Sequence, residues 1–282
     1  MGKVLEAREI YEELKQTLRE KVKLLSPLTI ASLRVGKSAS CQVYFSKQKK
    51  IATDLGINYL PIELEDDATC AECIRKIKDV NKEAAITGIV VNKPFPSHWS
   101  EAAVFSAIEV KKDIEGMNPC NLGKLVMGEP LFIPPTVASI LEFLKMSEVD
   151  LYGKKATVIG FSAIIGKPLS FLLANKFVTV SIAHIATYQK GDLPFYVKNA
   201  DILISAVGQS QLIKGEWIKE GALVIDAGIA ELEGKITGDV EFEQAKKKAS
   251  FITAVPGGVG KLTSILLFKN LIKAAELTGK RK

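Results

Sequence analysis

Along almost the whole chain, apolar runs rich in β-branched residues alternate with stretches whose apolar positions recur at helical spacing. The runs at 28–35, 58–62, 86–91, 156–159, 178–182, 202–206, 222–226 and 251–255 read as strands. The stretches at 5–24, 40–55, 70–81, 137–145 and 260–277 read as helices. Several runs are continuously apolar, as strands of a parallel sheet covered on both faces are. The alternation therefore predicts an α/β fold built from βαβ units. A polar stretch at 147–155 ends the first series of elements, and a second series opens at Ala156, so two domains are expected. The last helix carries a broad apolar face of Leu262, Ile265, Leu266, Phe268 and Ile272, widened by Leu267 and Leu271. So wide a face implies heavy burial. The helix follows the last strand of the second domain and is expected to pack back on the first.

Composition narrows the functional classes. Among 282 residues, 38 Lys and Arg stand against 32 Asp and Glu, a net charge of +6. Basic residues are interleaved with acidic ones apart from the short runs at 246–248 and 280–282, a pattern that predicts no nucleic-acid partner. A mild positive balance suits an anionic small molecule. The longest apolar runs, at 156–161 and 222–225, are far shorter than the ~20 residues of a membrane span. The N-terminus mixes charges of both signs and lacks the apolar core of a signal peptide, which suggests a cytoplasmic protein. Of the cysteines Cys41, Cys70, Cys73 and Cys120, the Cys70/Cys73 pair has metal-ligand spacing. Neither His98, His184 nor the other cysteines supply a second ligand pair, so no metal is expected and the pair reads as small apolar positions on a helix.

Three clusters carry candidate chemistry. The segment 156–168 reads strand, glycine turn, helix, with Gly160 for the turn and Gly166 where the helix start would approach a pyrophosphate. Ser162 stands where the middle glycine of a dinucleotide fingerprint would be, and the last glycine comes one residue late. The turn is therefore either cofactor-binding or structural. The second strand of that series ends in Ala183-His184-Ile185-Ala186, with neither an acid for ribose hydroxyls nor an arginine for a phosphate, although Lys190 is near. In the second cluster, Pro256, Gly257, Gly258 and Gly260 join a strand to the last helix, which suggests a ligand-facing loop. In the third, Tyr44, Lys47 and Gln48 share one helical face at i, i+3 and i+4.

Taken together, the chain resembles the methylenetetrahydrofolate dehydrogenase/cyclohydrolase family nearly from end to end. The resemblance rests on Val35-Gly36, Gln42-Val43-Tyr44, Gly88-Ile89-Val90-Val91, Pro94-Phe95-Pro96, Lys112-Asp113 and Asn121-Leu122-Gly123 in the first half. In the second half it rests on Gly166-Lys167-Pro168, Ala206-Val207-Gly208, Asp226-Ala227-Gly228-Ile229, Gly238-Asp239-Val240 and Pro256-Gly257-Gly258-Val259-Gly260. It implies an N-terminal α/β folate domain at 1–147 completed by 261–282, a Rossmann-type domain at 148–260, a cleft between them, and a homodimer. It also implies hydride transfer from 5,10-methylenetetrahydrofolate to NAD or NADP, followed in many members by hydrolysis of the methenyl product. Substrate contacts are expected from Tyr44, Asn92, Lys93, Pro94, Glu115, Pro256, Gly257 and Gly258. Cofactor contacts are expected from Gly160, Phe161, Ser162, Gly166, His184, Ile185 and Ile229.

The sequence departs from the family where the chemistry sits. Gln48 occupies the position of the family's lysine, Asn92 and Lys93 stand in its Gln-Leu positions, and Glu115 replaces its pterin-binding aspartate. Hydride transfer is helped by the folate nitrogen's own lone pair and mainly needs alignment. Hydrolysis needs a positioned acid/base, and Gln48 cannot titrate. Cyclohydrolase activity is therefore expected to be weak or absent unless Lys47 substitutes. Phe161, Ile185 and Ala186 replace residues that relatives use to hold the NADP phosphate, so NAD is expected over NADP. Two alternatives stay open: a non-catalytic paralogue that binds a folate or nucleotide, and an enzyme for another pterin-like one-carbon substrate.

Overall fold

The protein's structure, a computed structural model, describes residues 2–36 and 39–280, with the side chains of 39–41 also outside the description. Cys41 and the last two residues of the basic tail fall outside it. The first half of the chain runs β1 (Lys3–Leu5), α1 (Arg8–Lys23), β2 (Thr29–Val35), α2 (Ala39–Leu55), β3 (Asn58–Leu64), α3 (Cys70–Lys82) and β4 (Gly88–Val91). It continues through α4 (Glu101–Ser106), α5 (Pro119–Val126) and α6 (Pro135–Met146). The second half runs β5 (Lys155–Ile159), α7 (Gly166–Ala174), β6 (Thr179–Ala183), α8 (Ile185–Gln189), α9 (Leu193–Lys198), β7 (Ile202–Ser205) and β8 (Leu223–Asp226). The hairpin strands β9 (Ala230–Leu232) and β10 (Lys235–Thr237) precede α10 (Phe242–Lys248), β11 (Phe251–Thr253) and α11 (Val259–Leu277).

The chain packs as two α/β units. One comprises Glu12–Pro135 with the chain from Ser264 onward, and the other comprises the residues up to Tyr11 with Thr136–Thr263. In the first unit a parallel sheet has the order β3-β2-β4. Every residue of β4 is buried, as expected of a strand covered on both faces. The C-terminal part of α11 completes this unit, and Asn270 Nδ2 donates to the carbonyls of Ile114 (2.8 Å) and Ile133 (2.9 Å). All seven apolar residues expected on the face of this helix are buried.

In the second unit a parallel sheet has the order β1-β11-β8-β7-β5-β6. Its core gathers Ile159, Leu203, Val224, Ile252 and their neighbours. The chain order reverses direction beside β5, between β6 and β7, where ligands of open α/β sheets bind.

The first eleven residues and Thr136–Ser147 group with this unit, whereas the sequence boundary gave both to the N-terminal domain. The physical reasons are non-local. Lys3, Val4 and Leu5 pair in register with Phe251, Ile252 and Thr253, so the expected helix at residue 5 starts only at Arg8. Ser139 Oγ donates to the carbonyl of Val259 over 3.0 Å, fixing α6 to the start of α11.

Candidate functional site

In the unit holding β2 and α2, the helix lies over one face of the strand. Ser32 and Arg34 alternate onto that face. The Arg34 guanidinium lies 4.7 Å from the centre of the Phe45 ring, donates to Gln42 Oε1, and pairs with Glu63 at 2.9 Å. Helix and sheet are thereby held in register.

One turn further along α2, Gln48 is buried at 1% exposure. Its Oε1 accepts from Ser32 Oγ at 2.7 Å and from the Tyr59 hydroxyl at 3.3 Å, and its Nε2 donates to Asn92 Oδ1 at 3.0 Å. Asn92 Nδ2 donates back to Ser32 Oγ at 2.8 Å and to the Leu33 carbonyl at 2.9 Å. Ser32, Gln48 and Asn92 thus form a closed ring of buried hydrogen bonds. Gln48 also hydrogen-bonds the Tyr44 hydroxyl; burial and the nearby Glu115 carboxylate raise that phenol above its usual range against this bond. Tyr44 therefore stays neutral at any physiological pH.

Glu115 accepts from the Val91 amide at 3.3 Å. Burial, together with the charge of Asp113, pushes its carboxyl up to about 8. Asp113 is itself buried and raised by desolvation, and it accepts from the Asn118 amide and Asn121 Nδ2, each at 2.7 Å.

The structure thus brings Tyr44, Gln48, Asn92 and Glu115 together. It does not bring Lys93 or Pro94 into this network: both are exposed, and Lys93 pairs with Glu101 at 2.5 Å. Lys47 is half-buried. Sequence reasoning missed Ser32 and Tyr59, because a lone serine in an apolar strand carries no signal until its partners 16 and 60 residues away are known.

In the other unit, the carboxyl ends of β5, β6, β7 and β8 lead into exposed apolar residues: Phe161 (51%), Ile185 (61%), Val207 (37%) and Ile229 (62%). Exposed large apolar groups gathered at one end of a sheet mark a binding surface. Gly160 adopts φ +118°, and a side chain there would meet the Ala206 carbonyl. A Cβ at Gly166 would stand 2.0 Å from the Gly160 carbonyl, so the start of α7 closes directly on the turn. Ser162 Oγ accepts from the Ile165 amide at 3.1 Å, which explains a serine in place of glycine. His184 is exposed, with its ring 6.4 Å from that of Phe161, and the Lys167 ammonium sits 4.6 Å from the centre of the Phe161 ring.

The Pro256–Gly260 loop is in part self-explanatory. A Cβ on Gly258 would approach the Ala254 carbonyl to 2.4 Å, so that glycine serves the turn itself; Gly257, at φ +110°, faces open space. Pro256 is exposed.

A feature unassigned from the sequence is a pair of buried carboxylates. Asp239 accepts from Ser205 Oγ (2.7 Å) and from the amides of Val207 and Gln209 (both 2.8 Å). Asp226 accepts from the amides of Gly228 and Val240 (both 2.9 Å), and burial with the charge of Asp239 pushes it up to about 7. These carboxylates tie together the loops after β7 and β8 that carry Val207 and Ile229. Among the described residues no three His, Cys, Asp or Glu gather as a metal centre would, and burial pushes the Cys73 thiol up to about 12. Among the described residues no helix is long and apolar enough to cross a membrane.

Residues 4–115 match the family model of the tetrahydrofolate dehydrogenase/cyclohydrolase catalytic domain, and residues 134–279 match that of the NAD(P)-binding domain of the same family. The chain is 41% identical over 286 residues to the bifunctional protein FolD of Acetivibrio thermocellus, covering 100% of this chain and 99% of the relative. It is 41% identical over 273 residues to FolD of Bacillus subtilis, covering 96% and 95%. Among solved structures it resembles the bifunctional enzyme FolD of Campylobacter jejuni, with TM-score 0.94, 36% identity and coverage of 99% and 100%. It also resembles the Trypanosoma brucei enzyme complexed with NADP cofactor and inhibitor, with TM-score 0.93, 34% identity and coverage of 99% of each chain.

Proposed function

Because the chain belongs to the tetrahydrofolate dehydrogenase/cyclohydrolase family, we propose that it oxidises 5,10-methylenetetrahydrofolate to the methenyl form by hydride transfer to a nicotinamide cofactor, with little or no hydrolysis of that product. The observation that carries the second half is the buried, fully engaged amide of Gln48.

A nicotinamide cofactor fits the second unit. The Gly160–Gly166 turn sets the start of α7 directly against the end of β5, the place at which a helix start of this fold would hold a pyrophosphate, and Phe161, His184, Ile185 and Ile229 offer surface to its rings. When bound, the cofactor supplies the hydride acceptor. Ile185 and Ala186 carry no charge for a 2′-phosphate, which favours NAD. In the other unit, Tyr44 presents its ring to the pterin, and Asn92 and Glu115 line the same site. At neutral pH the protonated Glu115 carboxyl donates one hydrogen bond and accepts others, suiting the alternating donors and acceptors of a pterin edge.

Oxidation asks the protein for alignment, since the folate nitrogen's lone pair assists hydride departure. Hydrolysis asks it to take a proton from water and deliver one to the leaving nitrogen. Gln48 holds no transferable proton, and its donors and acceptors are already occupied. We further read the protein as a homodimer that acts in the cytoplasm. The test is steady-state oxidation of methylenetetrahydrofolate with NAD and with NADP, following reduced cofactor and methenyl product separately. Turnover with accumulating methenyl product is expected. Absence of turnover with either cofactor would favour a binding-only paralogue.

A further inference from the structure

Gln48 can point its amide two ways in a buried site, and only one of them fits Ser32 and Asn92. With Oε1 toward β2 and Nε2 toward Asn92, the amide accepts from Ser32 Oγ and donates to Asn92 Oδ1, and it also hydrogen-bonds the Tyr44 hydroxyl. Flipped, Nε2 would face Ser32 Oγ, which already receives Asn92 Nδ2, and Oε1 would face Asn92 Oδ1, acceptor against acceptor. The choice between the two states is set by which atom can donate to Oε1. Tyr59 reaches it at 3.3 Å but is shared with the Phe45 carbonyl at 3.4 Å. Ser32 donates at 2.7 Å and is fully buried.

We infer that Ser32 is a positioning residue for the folate site: its hydroxyl locks the Gln48 amide, and that amide in turn places the Tyr44 hydroxyl it bonds. Ser32 does not touch substrate. It acts through Gln48, and Asn92 closes the ring that keeps Ser32 in its donor role. The inference rests on the proposed folate site, but the lock itself exists in the free protein and is read separately.

The experiment has two arms on the full chain. In the first, nuclear magnetic resonance follows the Gln48 side-chain amide of the free protein. In the wild type its two protons are expected as distinct, exchange-protected signals, and in Ser32→Ala that protection is expected to be lost. Unchanged protection would overturn the lock whether or not the protein turns over folate. In the second, KM and kcat for methylenetetrahydrofolate are measured for Ser32→Ala in the wild-type and Gln48→Met backgrounds, with thermal unfolding of each variant.

Loss of one buried hydrogen bond is expected to raise KM about three- to tenfold in the wild-type background, with a smaller change in kcat. In the Gln48→Met background the same substitution is expected to leave KM within about twofold, because its route of action is gone. An equal rise in both backgrounds, or a lowered melting temperature with KM unmoved, would overturn the proposal. Ser32→Thr keeps the hydroxyl and is expected to restore the protection. If the extra methyl prevents folding, the comparison between backgrounds still decides. A wild type that fails to bind tetrahydrofolate would refute the functional reading and leave the first arm standing.

Discussion

Nε2 of Gln48 donates to Oδ1 of Asn92 across 3.0 Å, joining a helix to the end of a strand 44 residues away. Neither side chain is more than 4% exposed. Asn92→Ala would leave Gln48 Nε2 and Ser32 Oγ each short of a partner in a buried site. Urea unfolding at pH 7 should register a loss of about 1–3 kcal/mol. A change below about 0.5 kcal/mol, the range of ordinary surface substitutions, would show that the ring is energetically idle.

Glu115 gives the protein a pH signature. Its carboxyl is pushed up to about 8 in the fold, above its ordinary 4.5. Folding therefore takes up a proton between those values, and the contribution is present at low pH and lost as pH rises through about 8. Asp226, pushed up to about 7, acts in the same direction. Burial raises Asp113 as well, and Glu115→Gln removes one of these groups, so its unfolding free energy should fall less steeply than the wild type's from pH 6 to 9. Parallel curves would contradict the assignment.

The buried carboxylates of the second unit leave no room beside them. A Cβ at Gly238 would stand 2.1 Å from Asp226 Oδ2, and one at Gly228 would stand 2.1 Å from Asp239 Oδ1. Gly238→Ala and Gly228→Ala should each destabilise by about 1–3 kcal/mol, as overpacking does. Gly123→Ala, at an ordinary φ with nothing within 4 Å, serves as the control without a packing clash. Equal losses at all three positions would refute a packing origin.

Cofactor preference should respond to one side chain. Ile185 opens α8 at the carboxyl end of β6 and is largely exposed. Ile185→Arg should raise kcat/KM for NADP about tenfold relative to NAD, the scale of one charge-assisted hydrogen bond. An unchanged ratio would place the ribose of the cofactor elsewhere.

Much of the fold was legible because periodicity is local. The expected strand at 28–35 is β2, Thr29–Val35, and the expected helix at 70–81 is α3, Cys70–Lys82. β1 escaped because three residues show no period, and its identity comes from pairing with β11 at the far end of the chain. The β9–β10 hairpin escaped because its turn is Glu233-Gly234, both at positive φ, rather than the Asn-Gly that announces such turns. Of the candidate site, Tyr44, Gln48, Asn92 and Glu115 were legible through family resemblance. Ser32, Tyr59 and the mutual burial of Asp226 and Asp239 were not, since they acquire meaning only when distant strands meet.

The most direct test concerns position 48. Prepared methenyltetrahydrofolate would be given to the wild type and to Gln48→Lys, and hydrolysis followed by loss of the methenyl absorbance. A lysine there would find Ser32 Oγ and Asn92 Oδ1 as acceptors, and burial would lower its pKa toward neutrality. Hydrolysis near the uncatalysed rate is expected for the wild type, with a gain of about a hundredfold or more for Gln48→Lys, the scale of general acid–base catalysis. Wild-type hydrolysis as fast as its dehydrogenation, or no gain in a folded Gln48→Lys, would contradict that expectation.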